Sequence, residues 1–149
     1  MEYIIVQLAT AFIGSLGFAI ILKIKGKQIV YAGIGGVFSW GVYLWAYAQL
    51  EGYFAANFIA ALFVAVYAEI MARVNKAPAT IFLTAAAIPL IPGRNLYNTM
   101  YGIVSEDSAF AWENANTAIV ISLAISFGFV FVAVVNKYLN RLKAFRKGQ

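Results

Sequence analysis

The sequence contains no cysteine and no histidine, and it has few charged residues. These absences exclude disulfides, thiol nucleophiles, imidazole bases and the usual zinc sites. Charged residues make up 11% of the 149 positions, whereas a soluble domain carries about 25%. Polar groups are too few to cover the surface, so lipid must cover it. We therefore expect an integral membrane protein.

Hydrophobic residues make up 63% of the chain and form five long apolar stretches. A helix needs roughly 20 apolar residues to cross a bilayer, and the alternating pattern of barrel strands is missing. The first stretch has no basic segment before it, so we expect a mature helix rather than a signal peptide. The chain, 1–149, is therefore predicted to be a single all-α membrane domain with about five transmembrane helices. The predicted helices are roughly 3–22, 28–50, 53–72, 78–91 continuing as 93–104, and 114–137, followed by a basic tail at 138–149.

The basic residues predict the orientation, because lysine and arginine collect on the cytoplasmic side of a membrane. With five crossings, only Arg94 of the eleven lysines and arginines falls on the other side. We therefore expect the N-terminus outside and the basic tail in the cytoplasm, where it can contact anionic lipid headgroups. Short basic loops without a recognition motif do not indicate nucleic-acid binding. Five of the six acidic residues fall on the predicted outer side: Glu2, Glu51, Glu106, Asp107 and Glu113.

Small residues recur four positions apart in several of the apolar stretches. Such pairs let helix backbones approach closely in lipid, where no hydrophobic force drives helices together. The pattern favours packing within the chain, although contact with a second protein is the alternative. The pairs are Ser15/Ala19, Ala32/Gly36, Ala56/Ala60, Ala61/Ala65 and Ala124/Gly128.

Aromatic residues cluster near the predicted outer end of the second and third helices. Tryptophan and tyrosine commonly anchor helices at the membrane interface. We favour that interpretation over a role in binding a solute. The cluster consists of Trp40, Tyr43, Trp45, Tyr47 and Tyr53.

The fourth apolar stretch is interrupted by proline and glycine. Residues 77–91 would span only about 22 Å as a helix, against roughly 30 Å of hydrocarbon. We expect the helix to be interrupted at Pro89–Gly93 and to continue beyond. Pro92 suits the first turn of a new helix, and Gly93 permits an unusual backbone angle. The alternative is a kinked helix whose Arg94 reaches the outer headgroups.

The predicted restart carries groups that suit a carboxylate. A helix N-terminus presents free N–H groups and the positive end of its dipole, and Arg94 adds a fork of donors. Irregular backbone at membrane depth is tolerated only where protein buries it or water reaches it. These features fit a transporter site for a small carboxylate-bearing solute. The predicted substrate-binding residues are Pro92, Gly93, Arg94, Asn95, Tyr97 and Asn98.

Other polar residues in the spans have two interpretations each. Glu69 can carry a coupling proton, or it can pair with Arg73 one turn later, which we favour. Asn57, Thr80 and Thr84 can line a path, although each is more often a hydrogen bond between helices. The sequence has no Ser/Lys pair, carboxylate dyad or metal-ligand cluster, so we do not expect an enzyme.

The segment AIPLIPGRNLYNTMYGI, residues 87–103, resembles the threonine/serine exporter (ThrE-like) family. That family carries a proline, a short apolar gap, Pro-Gly and then an aromatic residue, here Pro89, Pro92-Gly93 and Tyr97. The upstream NKAPATIFLTAAA, with Pro78, and the final helix, with Gly128, are also similar, so the resemblance covers nearly the whole chain. Arg94 stands where many relatives have a small polar residue, which leaves the substrate open.

The resemblance implies a secondary exporter without an enzymatic cofactor. The chain is most similar to the small membrane subunit of the split, two-component form, which implies a larger related membrane subunit as partner. The split form is associated with succinate-type dicarboxylates, and the fused form with threonine and serine.

An odd number of spans is consistent with a second unit of opposite orientation, since inverted-repeat transporters bind solute between their repeats. That unit can be the larger subunit or another copy of this chain. We therefore expect an exporter subunit for a small amino or carboxylic acid. The alternatives are a non-transporting membrane scaffold that stabilises a partner, and a channel.

Overall fold

Long apolar segments fold as helices in lipid because a helix satisfies its own backbone N–H and C=O groups. The computed structural model describes residues 2–147, and every regular element in that range is helical. Four helices are long and apolar enough to cross a membrane, and a bent pair of helices makes a fifth candidate if the pair is one span. The predicted all-α membrane fold is confirmed. The elements are α1 (Glu2–Ile21), α2 (Gln28–Leu50), α3 (Tyr53–Asn75), α4 (Ala79–Ala87), a 3-10 turn (Ile88–Leu90), α5 (Gly93–Val104) and α6 (Ser108–Lys147).

The last helix differs most from its predicted bounds of 114–137. It has 40 residues and begins at Ser108, because Asp107 caps it. The Asp107 carboxylate accepts a hydrogen bond from the Phe110 N–H at 3.0 Å. At the other end α6 continues to Lys147, through the stretch predicted as a tail, where Lys, Arg, Leu and Ala favour a helix. At about 1.5 Å per residue α6 is roughly 60 Å long, so it extends beyond the hydrocarbon.

Small residues sit where the helices cross. A Cβ atom on Gly36 of α2 would lie 2.6 Å from the Ser15 Cβ of α1, and one on Gly128 of α6 would lie 2.7 Å from the Ala61 Cβ of α3. These approaches are too close for a larger side chain. All five predicted small-residue pairs are buried within the chain, so the prediction of internal packing is confirmed.

The fourth span is broken, as predicted. The axes of the α4 segment and α5 differ by 53° across the break at Ile91 and Pro92. This bend falls well short of a reversal, so α5 advances in the same general direction as α4. Pro89 has no N–H and cannot bond the Ala85 carbonyl. Close by, the Ser39 hydroxyl of α2 donates to the Ala86 carbonyl at 2.8 Å, which helps to satisfy the end of α4.

The prediction of an unusual backbone angle at Gly93 is wrong. Among the glycines of the described residues, only Gly26 has a positive φ, and Gly93 is simply the first residue of α5. Pro92 was expected in the first turn but precedes it, with φ −76° and ψ 51°. The change of direction therefore takes place at Pro92, and the freedom of glycine is not needed for it.

Candidate solute-binding cavity

A cavity of about 620 Å³ lies beside the break in the fourth span. This volume is within the range of small-molecule sites, about 300–1,000 Å³. Residues of α2, α3, α5 and α6 line it, together with the break itself. Its deepest α2 residue, Trp40, lies ten residues before the end of that helix at Leu50, which is about 15 Å along the axis. The cavity therefore extends along α2 for about 15 Å from the end of the helix bundle.

The first wall is the break and the start of α5, residues 89–95. The Gly93 N–H donates to the Ile91 carbonyl at 2.7 Å, and the Leu96 N–H donates to the Pro92 carbonyl at 3.0 Å. Between them, the N–H groups of Arg94 and Asn95 have no acceptor among residues 2–147. Free N–H groups at a helix start attract anions, and the helix dipole adds to the attraction. Arg94 is exposed on the same wall, so this wall carries both backbone and side-chain donors.

The second wall is aromatic. Four rings follow one another along it: the ring centroids are 4.8 Å apart for Trp40 and Tyr43, 5.8 Å for Tyr43 and Tyr47, and 5.3 Å for Tyr47 and Tyr53. The Trp40 indole N–H donates to the Gln7 side chain of α1 at 3.1 Å, which fixes the ring. Such a wall offers flat apolar faces and phenol hydroxyls to a solute.

The sequence favoured interfacial anchoring for these aromatic residues, and their role in the cavity was missed. Residues 40, 43 and 47 follow helical spacing and share one face of α2. That spacing was visible in the sequence. Trp45 falls on another face, is 63% exposed and does not line the cavity.

The third wall carries amides and a carboxylate. Asn57 is only 2% exposed. Its NH₂ group donates to the Tyr53 carbonyl at 2.7 Å, while its Oδ1 oxygen receives no hydrogen bond from the described part of the chain. Asn98 of α5 donates to the Asn114 side chain of α6 at 3.2 Å. Glu113, which the sequence had placed with the outer acidic residues, also lines the cavity.

The structure brings several of the predicted site residues together. Those on the cavity wall are Pro92, Gly93, Arg94, Asn95, Asn98 and Asn57.

Four predicted site residues lie away from the cavity: Tyr97, Thr80, Thr84 and Glu69. Tyr97 is 68% exposed, and its ring stacks on that of Tyr101 with centroids 6.5 Å apart. Its position next to Asn98 turns it by about 100° to another face of α5. Thr80 and Thr84 are exposed on α4, where the Thr84 hydroxyl donates to the Thr80 carbonyl at 2.8 Å.

Glu69 lies in a separate polar cluster between α3 and α6. Its carboxylate is 3.6 Å from the Arg73 guanidinium, so the expected ion pair is present. Arg73 also donates to the Asn136 side chain at 3.3 Å. These residues border a mostly apolar groove of about 430 Å³. A part for Glu69 in coupling stays a prediction.

Four apolar helices long enough to cross a membrane, a broken fifth segment and a polar cavity beside the break are consistent with a multi-pass membrane protein. The family model described as threonine/serine exporter, ThrE, matches residues 7–135. The chain therefore belongs to the threonine/serine exporter family, and the resemblance of its fourth span is confirmed. No solved structure matches the chain. The matched region contains every cavity residue.

Proposed function

We propose that this chain is a subunit of a secondary transporter that exports a small amino acid or carboxylic acid across the cytoplasmic membrane. Threonine, serine and succinate-like dicarboxylates are the solute types. Membership of the exporter family supports the transport class. The observation that supports the site is the start of α5, whose free N–H groups and Arg94 border a cavity of about 620 Å³.

The carboxylate of the solute binds at the start of α5. Arg94 supplies a forked guanidinium, which suits a carboxylate better than an ammonium does. The N–H groups of Arg94 and Asn95 add donors, and the helix dipole contributes about 0.3–1 kcal/mol. Hydrogen bonds to a charged group are worth about 1.5–3 kcal/mol each. Asn98, held by Asn114, orients the solute.

Gly93 keeps the approach to these donors open. A Cβ atom at this position would meet no other atom within 4 Å, so internal packing does not require glycine here. The residue adopts an ordinary helical conformation. We attribute the glycine at this position to space for the solute beside the helix start, a common use of glycine near ligands.

A second membrane unit completes the transporter. Helix α5 packs mainly against α6, and its far face is exposed and apolar at Leu96, Met100 and Ile103. If this chain and a second, related unit form an inverted repeat, the second unit has the opposite orientation in the membrane, which five crossings per unit allow. The second unit is the larger subunit of the same exporter or another copy of this chain, and lipid covers the remaining apolar surface. In this arrangement the N-terminus is outside and the basic end of α6 is cytoplasmic.

The test is counterflow of labelled threonine, serine or succinate in vesicles that contain the purified, partner-bound complex. We expect saturable transport that is lost when the complex is made without this chain. Transport at an unchanged rate without the chain contradicts the proposal and supports a scaffold role. Flux that does not saturate with solute supports a channel instead.

A further inference from the structure

The cavity contains two opposite charges that do not pair with each other. Arg94 and Glu113 both line it, and both are exposed. Among the described residues the only ion pair within 4.0 Å is Glu69–Arg73, so Arg94 and Glu113 are farther apart than that. Unpaired charges of opposite sign in one cavity are both available to a ligand.

The packing of α5 on α6 sets the spacing of these two charges. Asn98 bonds to Asn114, and Gly102 packs against the backbone of Ala111, so the two helices are antiparallel and in a fixed register. Arg94 lies one turn before Asn98, toward the start of α5, and the same register places it at the level of Ala118 on α6. Glu113 is then five residues away along α6, or about 7.5 Å. A small molecule with an anionic end and a cationic end can bind between the side chains of Arg94 and Glu113 at this spacing.

Other residues of the same cavity also suit a cation. The aromatic wall of the same cavity includes Tyr47 and Tyr53, and ring faces attract cations. Asn57 contributes a carbonyl oxygen from a side chain that is nearly fully buried, and that oxygen receives no hydrogen bond within residues 2–147. Ser15 Oγ is the only buried polar side-chain atom without a hydrogen-bond partner in the described part of the chain, so the Asn57 oxygen is accessible from the cavity that it lines and can accept from a ligand or water there.

We propose that Glu113 is a specificity-determining residue that binds the cationic end of a zwitterionic solute, while Arg94 and the start of α5 bind its carboxylate. This inference rests on the proposed function. A solute with an ammonium group then binds better than the same molecule without it. A dicarboxylate is disfavoured, because its second carboxylate meets the like charge of Glu113.

The experiment compares three solutes on the partner-bound complex in vesicles: L-serine, 3-hydroxypropionate, which is serine without its ammonium group, and succinate. Dissociation constants are measured for the wild type and for Glu113→Gln, which keeps the shape of the side chain and removes its charge. We expect serine to bind about ten- to a hundredfold more weakly to the variant. We expect 3-hydroxypropionate to change by less than about threefold, and succinate to bind more tightly.

Two further variants separate charge recognition from a folding defect. Glu113→Asp keeps the charge and should restore part of the preference for serine over 3-hydroxypropionate. Glu106→Gln removes a carboxylate from the α5–α6 loop, outside the cavity wall, and should leave all three constants unchanged. A misfolded variant would weaken the binding of every solute together.

Each remaining outcome contradicts a specific claim. If Glu113→Gln leaves the ratio of serine to 3-hydroxypropionate unchanged while the complex still transports, the role of Glu113 is wrong and the exporter function stands. If the wild-type complex binds succinate more tightly than serine, the role of Glu113 is also wrong and the exporter function stands. If the wild-type complex neither binds nor transports any of the three solutes, both proposals fail.

Discussion

The polar cluster between α3 and α6 and the cavity beside the break in the fourth span differ in whether their charged residues are paired. In one cluster, Glu69 and Arg73 neutralise each other at 3.6 Å, and Asn136 completes the set. In the cavity, Arg94 and Glu113 remain unpaired, although both border the same space. Charges that have a partner within the chain are sufficiently explained by structure. Charges that share a cavity without pairing are available to a ligand, and this difference supports the proposed site.

The largest expected effect is at the unpaired arginine. Arg94→Ala removes the forked donor from the start of α5, and we expect the affinity for a carboxylate solute to fall about ten- to a hundredfold. Expression should stay normal because Arg94 is exposed and makes no ion pair within the described residues. Counterflow of labelled serine over a range of concentrations gives the apparent affinity.

Arg73→Ala is the matched control, since it removes the paired arginine. We expect solute affinity to remain within about twofold of the wild type, because Arg73 does not line the cavity. An equal loss of affinity in both arginine variants would remove the distinction between the two clusters.

A smaller effect is expected at the first residue of α5. Gly93→Ala meets no steric barrier within the chain and replaces glycine with a better helix former, which stabilises a helix by up to about 1 kcal/mol. The added methyl group narrows the approach to the free N–H groups, so we expect apparent affinity to fall about tenfold. Thermal unfolding and counterflow measured on the same preparation test both halves of this prediction.

Gly17→Ala in α1 is the control for this substitution, because a Cβ there also meets no atom within 4 Å. It should stabilise the chain similarly and leave transport unchanged. If the two variants behave alike in transport, Gly93 does not face the solute.

The smallest effect is expected at the paired glutamate. Glu69→Gln breaks a partly exposed ion pair, and ion pairs at a protein surface are worth only about 0–1 kcal/mol. We expect a lower unfolding temperature by a few degrees at most, with transport still responding to an imposed proton gradient. If transport in vesicles no longer responds to the proton gradient, Glu69 couples proton movement to transport despite its ion pair with Arg73.

The broken span was predictable because lipid imposes strict rules on a backbone. An apolar stretch too short to cross and interrupted by Pro89 and Pro92 has few alternatives to stopping and restarting. The cavity wall at the start of α5 was also predictable, because the N–H groups at a helix N-terminus belong to residues that are adjacent in sequence. The role of Gly93 was predicted wrongly, because proline alone sufficed to turn the chain.

The other two walls were not predictable to the same degree, because they depend on contacts between distant helices. The aromatic residues of α2 have the composition of an interfacial anchor, and only tertiary packing places Tyr43 and Tyr47 opposite the break. Glu113 was missed for a local reason. The last helix was predicted to start at 114, which left Glu113 in a loop, whereas capping by Asp107 starts α6 at Ser108 and brings Glu113 into the cavity wall.

The central claim is that the start of α5 faces water and a solute rather than lipid. Since the chain has no cysteine, a single cysteine at Asn95 reports directly on this surface. The measurement is the rate at which a charged, membrane-impermeant thiol reagent modifies Asn95→Cys in the assembled complex, with and without serine or succinate. Val130→Cys, on the exposed apolar face of α6, is the control for a lipid-facing position. We predict rapid modification at position 95, slowed by the solute, and slow modification at position 130. Equally slow modification at both positions, unaffected by solute, would contradict the account.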